Sequence, residues 1–404
     1  MSTRPLHAVL LPPAPGGGQL LEALSAALDG SGPAILPLDP GLPPARLAQL
    51  LDVFAPSAIQ TPTGTKRTVP SAPAAHAGPG VEPDVAVVIA TSGSTGQPKG
   101  VELTAAALRA SAASSLARIG ARPGQRWLCC LPGFHVAGIQ VLVRSLLAGV
   151  DPVVTARVDA EVTATAGCAH VSLVPTQLRR LLDAGAPLAE FDTILLGGAA
   201  PPAGLLADAG AAGARVVVTY GMSETCGGCV YDGWPLDGVQ VAIDGDGLIG
   251  IAGPVLFSGY RSRGGGSRGG RPSGRWFRTS DLGSLDADGR LTVRGRADDV
   301  INTGGEKVVP GEVEAVLGTI DGVRDVVVVG LPDADWGEIV TAVVVPADPA
   351  TPPHLRQLRA QVRGRLPGYA APRRMLLVAE LPMLPSGKPD RMALREAGQR
   401  EPPQ

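Results

Sequence analysis

Apolar residues fall into two rhythms along this chain. Short, nearly continuous runs at 85–90, 127–131, 171–174, 193–196 and 216–219 recur between stretches patterned for helix, such as 20–24 and the alanine-rich segment after Leu103. A nearly continuous apolar run predicts a strand covered on both faces, and such strands separated by helices predict parallel pairing. Residues 1 to about 60 read as short α/β units, with a strand at 34–40 ending in a proline turn, and the Pro-, Ala-, Gly- and Thr-rich stretch 62–83 reads as a crossing loop. Near Arg296 the texture changes. Pro310 opens a helix, strands follow at 326–329, 339–345 and 375–378, and a helix covers 354–366, which predicts a small α+β unit with its own core. The expected fold class is therefore α/β: a large N-terminal domain of parallel-rich sheets covered by helices, followed by a small α+β C-terminal domain.

Composition narrows the function classes. A chain of 404 residues with 45% hydrophobic and 18% charged residues and a formal charge of −2 suits a globular protein of two to three domains. It lacks the basic field of a nucleic-acid binder. The low-complexity segment 261–275 is rich in Arg and Gly, but it is short and free of aromatic residues other than at its borders, and it reads as a loop. No apolar run spans a bilayer, and Arg144 interrupts the best candidate. The first residues lack a secretion signal's layout. Five cysteines without scaffold spacing fit a reducing compartment, so no membrane and a cytoplasmic location are expected. Cys226-Gly227-Gly228-Cys229 offers only two of the ligands a zinc site needs and reads as small pocket-lining residues.

Lysine use is more pointed. Of the 35 basic residues only Lys66, Lys99, Lys307 and Lys388 are lysines, and three of them sit in glycine-containing loops. A compact ammonium differs from a planar guanidinium in reach and shape, so lysine in those loops suggests a specific need. The first loop is Thr91-Ser92-Gly93-Ser94-Thr95-Gly96-Gln97-Pro98-Lys99-Gly100. Its hydroxyls, glycines and lysine suit an anion with many oxygens, a nucleotide polyphosphate above all. It is not a Walker A loop, because Pro98 precedes the lysine and Gly100 follows it. Further on, Tyr220-Gly221-Met222-Ser223-Glu224-Thr225 follows a predicted strand and combines an aromatic face with a carboxylate able to hold a hard cation. Asp281 offers two acceptor oxygens for paired hydroxyls.

These stretches resemble, in order, the motifs of the adenylate-forming superfamily of acyl-CoA synthetases, nonribosomal adenylation domains and luciferases. The resemblance implies ATP on the loop Thr91, Ser92, Gly93, Ser94, Thr95, Gly96 and Lys99. It implies adenine and acyl contacts at Gly198, Ala199, Tyr220, Gly221, Met222 and Ser223, and Mg²⁺ on Glu224. Asp281 is implied to bind the ribose, although Thr279-Ser280-Asp281 replaces the usual Thr-Gly-Asp. Arg296 is implied to contact ribose or phosphate and Asp298 to serve as a hinge, giving a large domain over 1–295, a hinge over 296–299 and a mobile small domain over 300–404. Lys388 matches the lysine that bridges carboxylate and α-phosphate. His135 matches an aromatic or histidine gate of the acyl pocket, and Gly304 and Gly305 the face presented to coenzyme A.

The run 222–239, together with the short region before the phosphate loop, resembles actinobacterial o-succinylbenzoate–CoA ligases. The implied substrates are a small aromatic carboxylic acid with a second carboxylate, ATP and coenzyme A. Gly227 and Gly228 are expected to leave room for its ring, with Ser172, Thr176 and Gln177 as donors to the far carboxylate. A ligase for another aryl or medium-chain acid, an enzyme loading a carrier protein, and a nucleotide binder without turnover stay open, and the motifs leave the oligomeric state unknown.

Overall fold

The computed structural model describes residues 3–12, 17–67, 80–92, 98–262, 267–269, 275–384 and 387–400. Among these the strands form four sheets. In the first, Leu6–Val9, Ala34–Pro37, Ala58–Thr61 and Val85–Ser92 pair in parallel as expected. The sheet then turns antiparallel through Pro98–Thr104 and Gly259–Arg261. The second sheet is the predicted parallel one: Val153–Val154, Trp127–Cys129, His170–Leu173, Thr193–Leu196 and Val216–Met222 lie side by side, and Gly227–Tyr231 returns antiparallel at the end.

Helices Gly17–Asp29, Ala105–Ile119 and Val136–Ala148 fill the space between these sheets, in one core with Val87, Ile89, Trp127, Val217 and Val230. Thr104 starts the second of these helices by accepting the Ala107 N–H at 3.0 Å, and Gly120, in the left-handed region, ends it. Helices Pro175–Asp183 and Leu205–Ala211 cover the other face of the second sheet. No helix among the described residues is long and apolar enough to cross a membrane.

Three parts of the expectation change. A third, wholly antiparallel sheet of Gln240–Ile243, Leu248–Ala252, Trp276–Leu285 and Leu291–Arg296 was not visible as such, because its strands are half-exposed and carry polar residues at many positions. The stretch 62–83 is not all loop, since Gly64–Arg67 pairs with Ala58–Thr61, while 68–79 lies outside the described residues. Likewise Arg261, assigned to the Arg/Gly-rich loop, is a buried strand residue 3.7 Å from the equally buried Glu102, and Ser267–Gly269 pairs beside it. Much of the rest of that segment lies outside the described residues.

The fourth sheet belongs to the small C-terminal unit. Val323–Asp333 and Gly337–Pro346 form its long hairpin, joined by Ile301–Thr303, Glu306–Val308 and Arg374–Leu377. Strand alternation splits its valines between two cores: Val328 faces helices Pro310–Leu317 and Leu355–Arg363, and Val327 and Val329 face helix Arg391–Arg400. This unit touches the large one at several places, among them Arg294 beside Glu312 at 2.5 Å. A Cβ on Gly318 would lie 3.0 Å from the Ala203 methyl, and one on Gly387 would lie 3.1 Å from Val174.

Candidate active site

Strands Val85–Ser92 and Pro98–Thr104 form an antiparallel hairpin, which puts the predicted phosphate loop at its tip. Gly93, Ser94, Thr95 and Gly96 lie outside the described residues, as does the Ser92 side chain. At the base, the Thr91 hydroxyl donates to the Lys99 carbonyl at 3.2 Å. The Lys99 ammonium stands 5.2 Å from the centre of the Tyr260 ring, and the Tyr260 hydroxyl donates to Glu224 at 2.8 Å.

Glu224 is placed by a single helical turn, Ser223–Thr225, at the end of strand Val216–Met222. Thr225 closes this turn from both sides, accepting the Met222 N–H at 2.9 Å and donating to the Gly227 carbonyl at 2.7 Å. The turn demands glycine at 221, where a Cβ would sit 2.0 Å from the Gly227 carbonyl oxygen. On the same strand, the Tyr220 hydroxyl donates to Asp281 at 2.8 Å. Burial, and after it the Asp281 charge, push this phenol far above its ordinary range, so it stays a donor. Arg296 lies across from Asp281 in the antiparallel pair, 3.8 Å away, and reaches Asp298 at 3.1 Å. Asp299, next in the same short turn, is 3.6 Å from Arg391, which also holds Glu314 at 2.7 Å.

Lys388 arrives at this cluster from the other unit. Its pKa is lowered, first by burial and then by the Arg296 charge, with Asp281 and Glu224 acting the other way. The ammonium therefore sits within the fields of three predicted site residues that lie more than 90 positions away in sequence. Gly198, at φ 86°, and the half-buried Ala199 follow strand Thr193–Leu196, and Val174 packs within reach of both Gly198 and Gly387. Gly304 and Gly305 are the turn of the hairpin Ile301–Thr303/Glu306–Val308; Gly304 packs against Trp336, and Gly305 faces open space.

A family model described as "AMP-binding enzyme" matches residues 15–260, and one described as "AMP-binding enzyme C-terminal domain" matches 312–388. The chain belongs to the AMP-binding enzyme family. Among curated relatives it is 42% identical over 403 residues to a probable 2-succinylbenzoate–CoA ligase of Mycobacterium tuberculosis, covering 96% of this chain and 97% of that one. It is 32% identical over 329 residues to the 2-succinylbenzoate–CoA ligase of Listeria monocytogenes, covering 77% and 70%. Among solved structures it resembles the o-succinylbenzoate CoA synthetase (MenE) of Bacillus subtilis in complex with the acyl-adenylate intermediate OSB-AMP, with a TM-score of 0.79 and 28% identity over 98% of this chain and 89% of that one.

The other end of this AMP-binding enzyme's site differs from the sequence reading. The space facing Gly227 and Gly228 is filled by the protein itself: a Cβ at Gly228 would meet Tyr231 at 3.0 Å and Thr219 at 3.1 Å, and one at Gly227 would meet Gln140 at 3.4 Å. The Gln177 side-chain oxygen accepts the Val174 N–H at 3.1 Å, which fixes the side chain and leaves its amide N–H groups as donors. Ser172 is buried and accepts from Arg144 at 3.0 Å. Cys226 and Cys229 are free, buried thiols, and no group of three or more possible metal-binding side chains occurs among the described residues. His135 precedes helix Val136–Ala148 with its Nε2 buried and unpartnered, and burial lowers its pKa.

Arg144 is the site residue that sequence reasoning passed over. It is 5% exposed on helix Val136–Ala148, one turn after the buried Gln140. Its guanidinium lies over the Trp127 ring at 4.3 Å and donates to the Ser172 hydroxyl and, at 3.4 Å, to Ser115, which in turn is 2.7 Å from the Tyr231 hydroxyl. No carboxylate pairs with it among the described residues, and its Nε and the Gln140 Oε1 are buried without partners. The chain Gly228–Tyr231–Ser115–Arg144 links this cation to the Tyr220–Cys229 segment of the site. A lone charge inside an otherwise apolar helix was its signal in the sequence.

Proposed function

We propose that this AMP-binding enzyme is an ATP-dependent acid–thiol ligase that adenylates 2-succinylbenzoate and transfers the acyl group to coenzyme A, a step of menaquinone biosynthesis. The observation that carries this reading beyond family membership is Arg144. An arginine cannot shed its proton, and a buried guanidinium without an anion costs several kcal/mol. A substrate carboxylate docked on its free Nε edge removes that cost through charge-assisted hydrogen bonds. An aryl acid with a second carboxylate is the substrate class this fits, and the names of the relatives point to the same acid.

The reacting carboxylate attacks the α-phosphorus of ATP; a carboxylate oxygen–phosphorus bond forms and the bond to pyrophosphate breaks. Lys388 stands where negative charge meets negative charge and lowers that barrier electrostatically. Asp281, oriented by Tyr220, accepts the ribose hydroxyls, and Arg296 holds the phosphate side. Glu224 has one oxygen taken by Tyr260 and one left for a cation. Among the described residues no group of three or more possible metal ligands occurs, and Mg²⁺ suits such a site because it is held by one or two carboxylates with substrate phosphates and water. Bound there, Mg²⁺ supplies neutralisation of the phosphate charge. The thiol of coenzyme A then attacks the acyl carbon and expels AMP. For that step the unit beyond 296–299 turns about Asp298, withdrawing Lys388 and presenting Gly304 and Gly305. The soluble, cytoplasmic setting expected from the composition suits these substrates.

A pyrophosphate-release screen over a panel of carboxylic acids, with and without coenzyme A, tests the reading. 2-Succinylbenzoate is expected to give the highest kcat/KM and to form its thioester only with coenzyme A. Equal kcat/KM for benzoate removes the substrate assignment, and adenylation without thioester formation turns the acceptor into a carrier protein.

A further inference from the structure

The surroundings of Arg144 are built as a stack. Trp127, fully buried on strand Trp127–Cys129, has the guanidinium over its ring at 4.3 Å, and the His170 ring packs against it at 4.9 Å with a 40° tilt. His170 is itself buried and is held by Gln125 at 3.3 Å through Nε2, with Nδ1 unpartnered. Burial lowers its pKa to about 4, so at neutral pH it adds no second charge next to the guanidinium. The Trp127 indole N–H is also buried without a partner, so this ring is not held by a hydrogen bond of its own.

We propose that Trp127 is a positioning residue for diacid recognition: its ring face, backed by His170, fixes the plane of the Arg144 guanidinium so that the Nε edge stays open to the far carboxylate. This rests on the reading of Arg144 as receptor for that carboxylate. The hydroxyls of Ser115 and Ser172 take two corners of the fork, and the indole face supplies the attraction that a protein carboxylate elsewhere provides. A carboxylate in the protein would cancel the charge and close the site, whereas an aromatic face stabilises the cation and leaves it able to bind an anion. That difference explains why a neutral ring stands at this position.

The experiment measures kcat and KM separately for 2-succinylbenzoate and for its analogue with a methyl group in place of the far carboxylate, in wild type, Trp127→Leu, Trp127→Phe and Arg144→Met. A desolvated cation–ring contact predicts a KM for the diacid about 30-fold higher in Trp127→Leu. Its kcat is expected within about twofold of wild type, with monoacid kinetics unchanged to the same margin. Trp127→Phe keeps a ring and is expected to recover the diacid KM to within about fivefold. Equal losses for both acids in Trp127→Leu mean a merely structural role and overturn the proposal, as does an unchanged diacid KM. Should Trp127→Leu fail to fold, Trp127→Phe decides: a rise in KM confined to the diacid supports the proposal, and no rise or a rise for both acids overturns it. Arg144→Met separates the two readings. If it leaves the preference for the diacid intact, Arg144 is not the receptor; if it abolishes the preference while the Trp127 variants behave as wild type, only the positioning role fails.

Discussion

The two ends of the site keep opposite charge inventories. At the nucleotide end the charged groups have partners: Glu224 with Tyr260, Asp281 with Tyr220 and Arg296, and Asp298 with Arg296, while Lys388 lies in the fields of Asp281 and Glu224. At the acyl end one cation is buried among hydroxyls and a ring, with no carboxylate partner among the described residues. The first arrangement is paired within the protein and, on the proposed reading, serves ATP. On the same reading the second is incomplete until a ligand supplies negative charge, and it selects which acid is bound. General chemistry sits where the protein satisfies itself, and specificity where it does not.

Lys388→Ala gives the largest expected break in this comparison. Adenylate formation from acid and ATP should fall by on the order of 10³, as for loss of one preorganised group facing developing charge. Supplied acyl-adenylate and coenzyme A should still give thioester within about tenfold of wild type. If both half-reactions collapse together, Lys388 is structural or the small unit does not alternate. Glu224→Gln keeps shape and removes charge, and adenylation should fall by roughly 10². Unchanged turnover at limiting Mg²⁺ would remove Glu224 from the phosphate machinery.

The smallest effect concerns the neutral wall of the acyl end. Folded His170 titrates at about 4, below its ordinary 6.5. As pH falls the unfolded chain takes up this proton first, so the stability it confers is complete above 6.5 and is lost as pH falls toward 4. His170→Phe keeps a ring against Trp127 and removes the titration. Urea unfolding should show the loss of stability between pH 7 and pH 4.5 reduced by about 2 kcal/mol in the variant. An identical loss in both proteins would mean that His170 is protonated without penalty in the fold.

Much of the nucleotide end was legible because its residues sit in ordered motifs at strand ends. Residues 85–89 and 193–196 are buried at every position and 216–222 is partly buried, which leaves the loops after these strands to carry chemistry. The placement of Lys388 beside Asp281 was legible only through the family resemblance, since no local pattern records a contact between two units. The acyl end was misread for a physical reason. Gly227 and Gly228 looked like open space, yet their missing side chains admit Thr219, Tyr231 and Gln140. A glutamine two residues after a helix-opening proline caps its own backbone through its oxygen, a tie that the expectation of Gln177 as a donor did not include. Arg144 was noted only as an interruption of an apolar run, and its lack of a counter-charge is a property of packing that sequence does not display.

The most direct test is the ratio of kcat/KM for 2-succinylbenzoate to that for its methyl-ended analogue, measured in wild type and in Arg144→Met, with the thermal stability of each ligand-free protein. In wild type the ratio should exceed about 10³, because the analogue leaves a buried charge unpaired. In Arg144→Met it should fall to within about tenfold of unity, while the ligand-free variant is at least as stable as wild type, since a buried unpaired cation has been replaced by a hydrophobic side chain. A ratio that survives the substitution, or a ligand-free variant that is markedly less stable, would contradict the account and make Arg144 part of the scaffold.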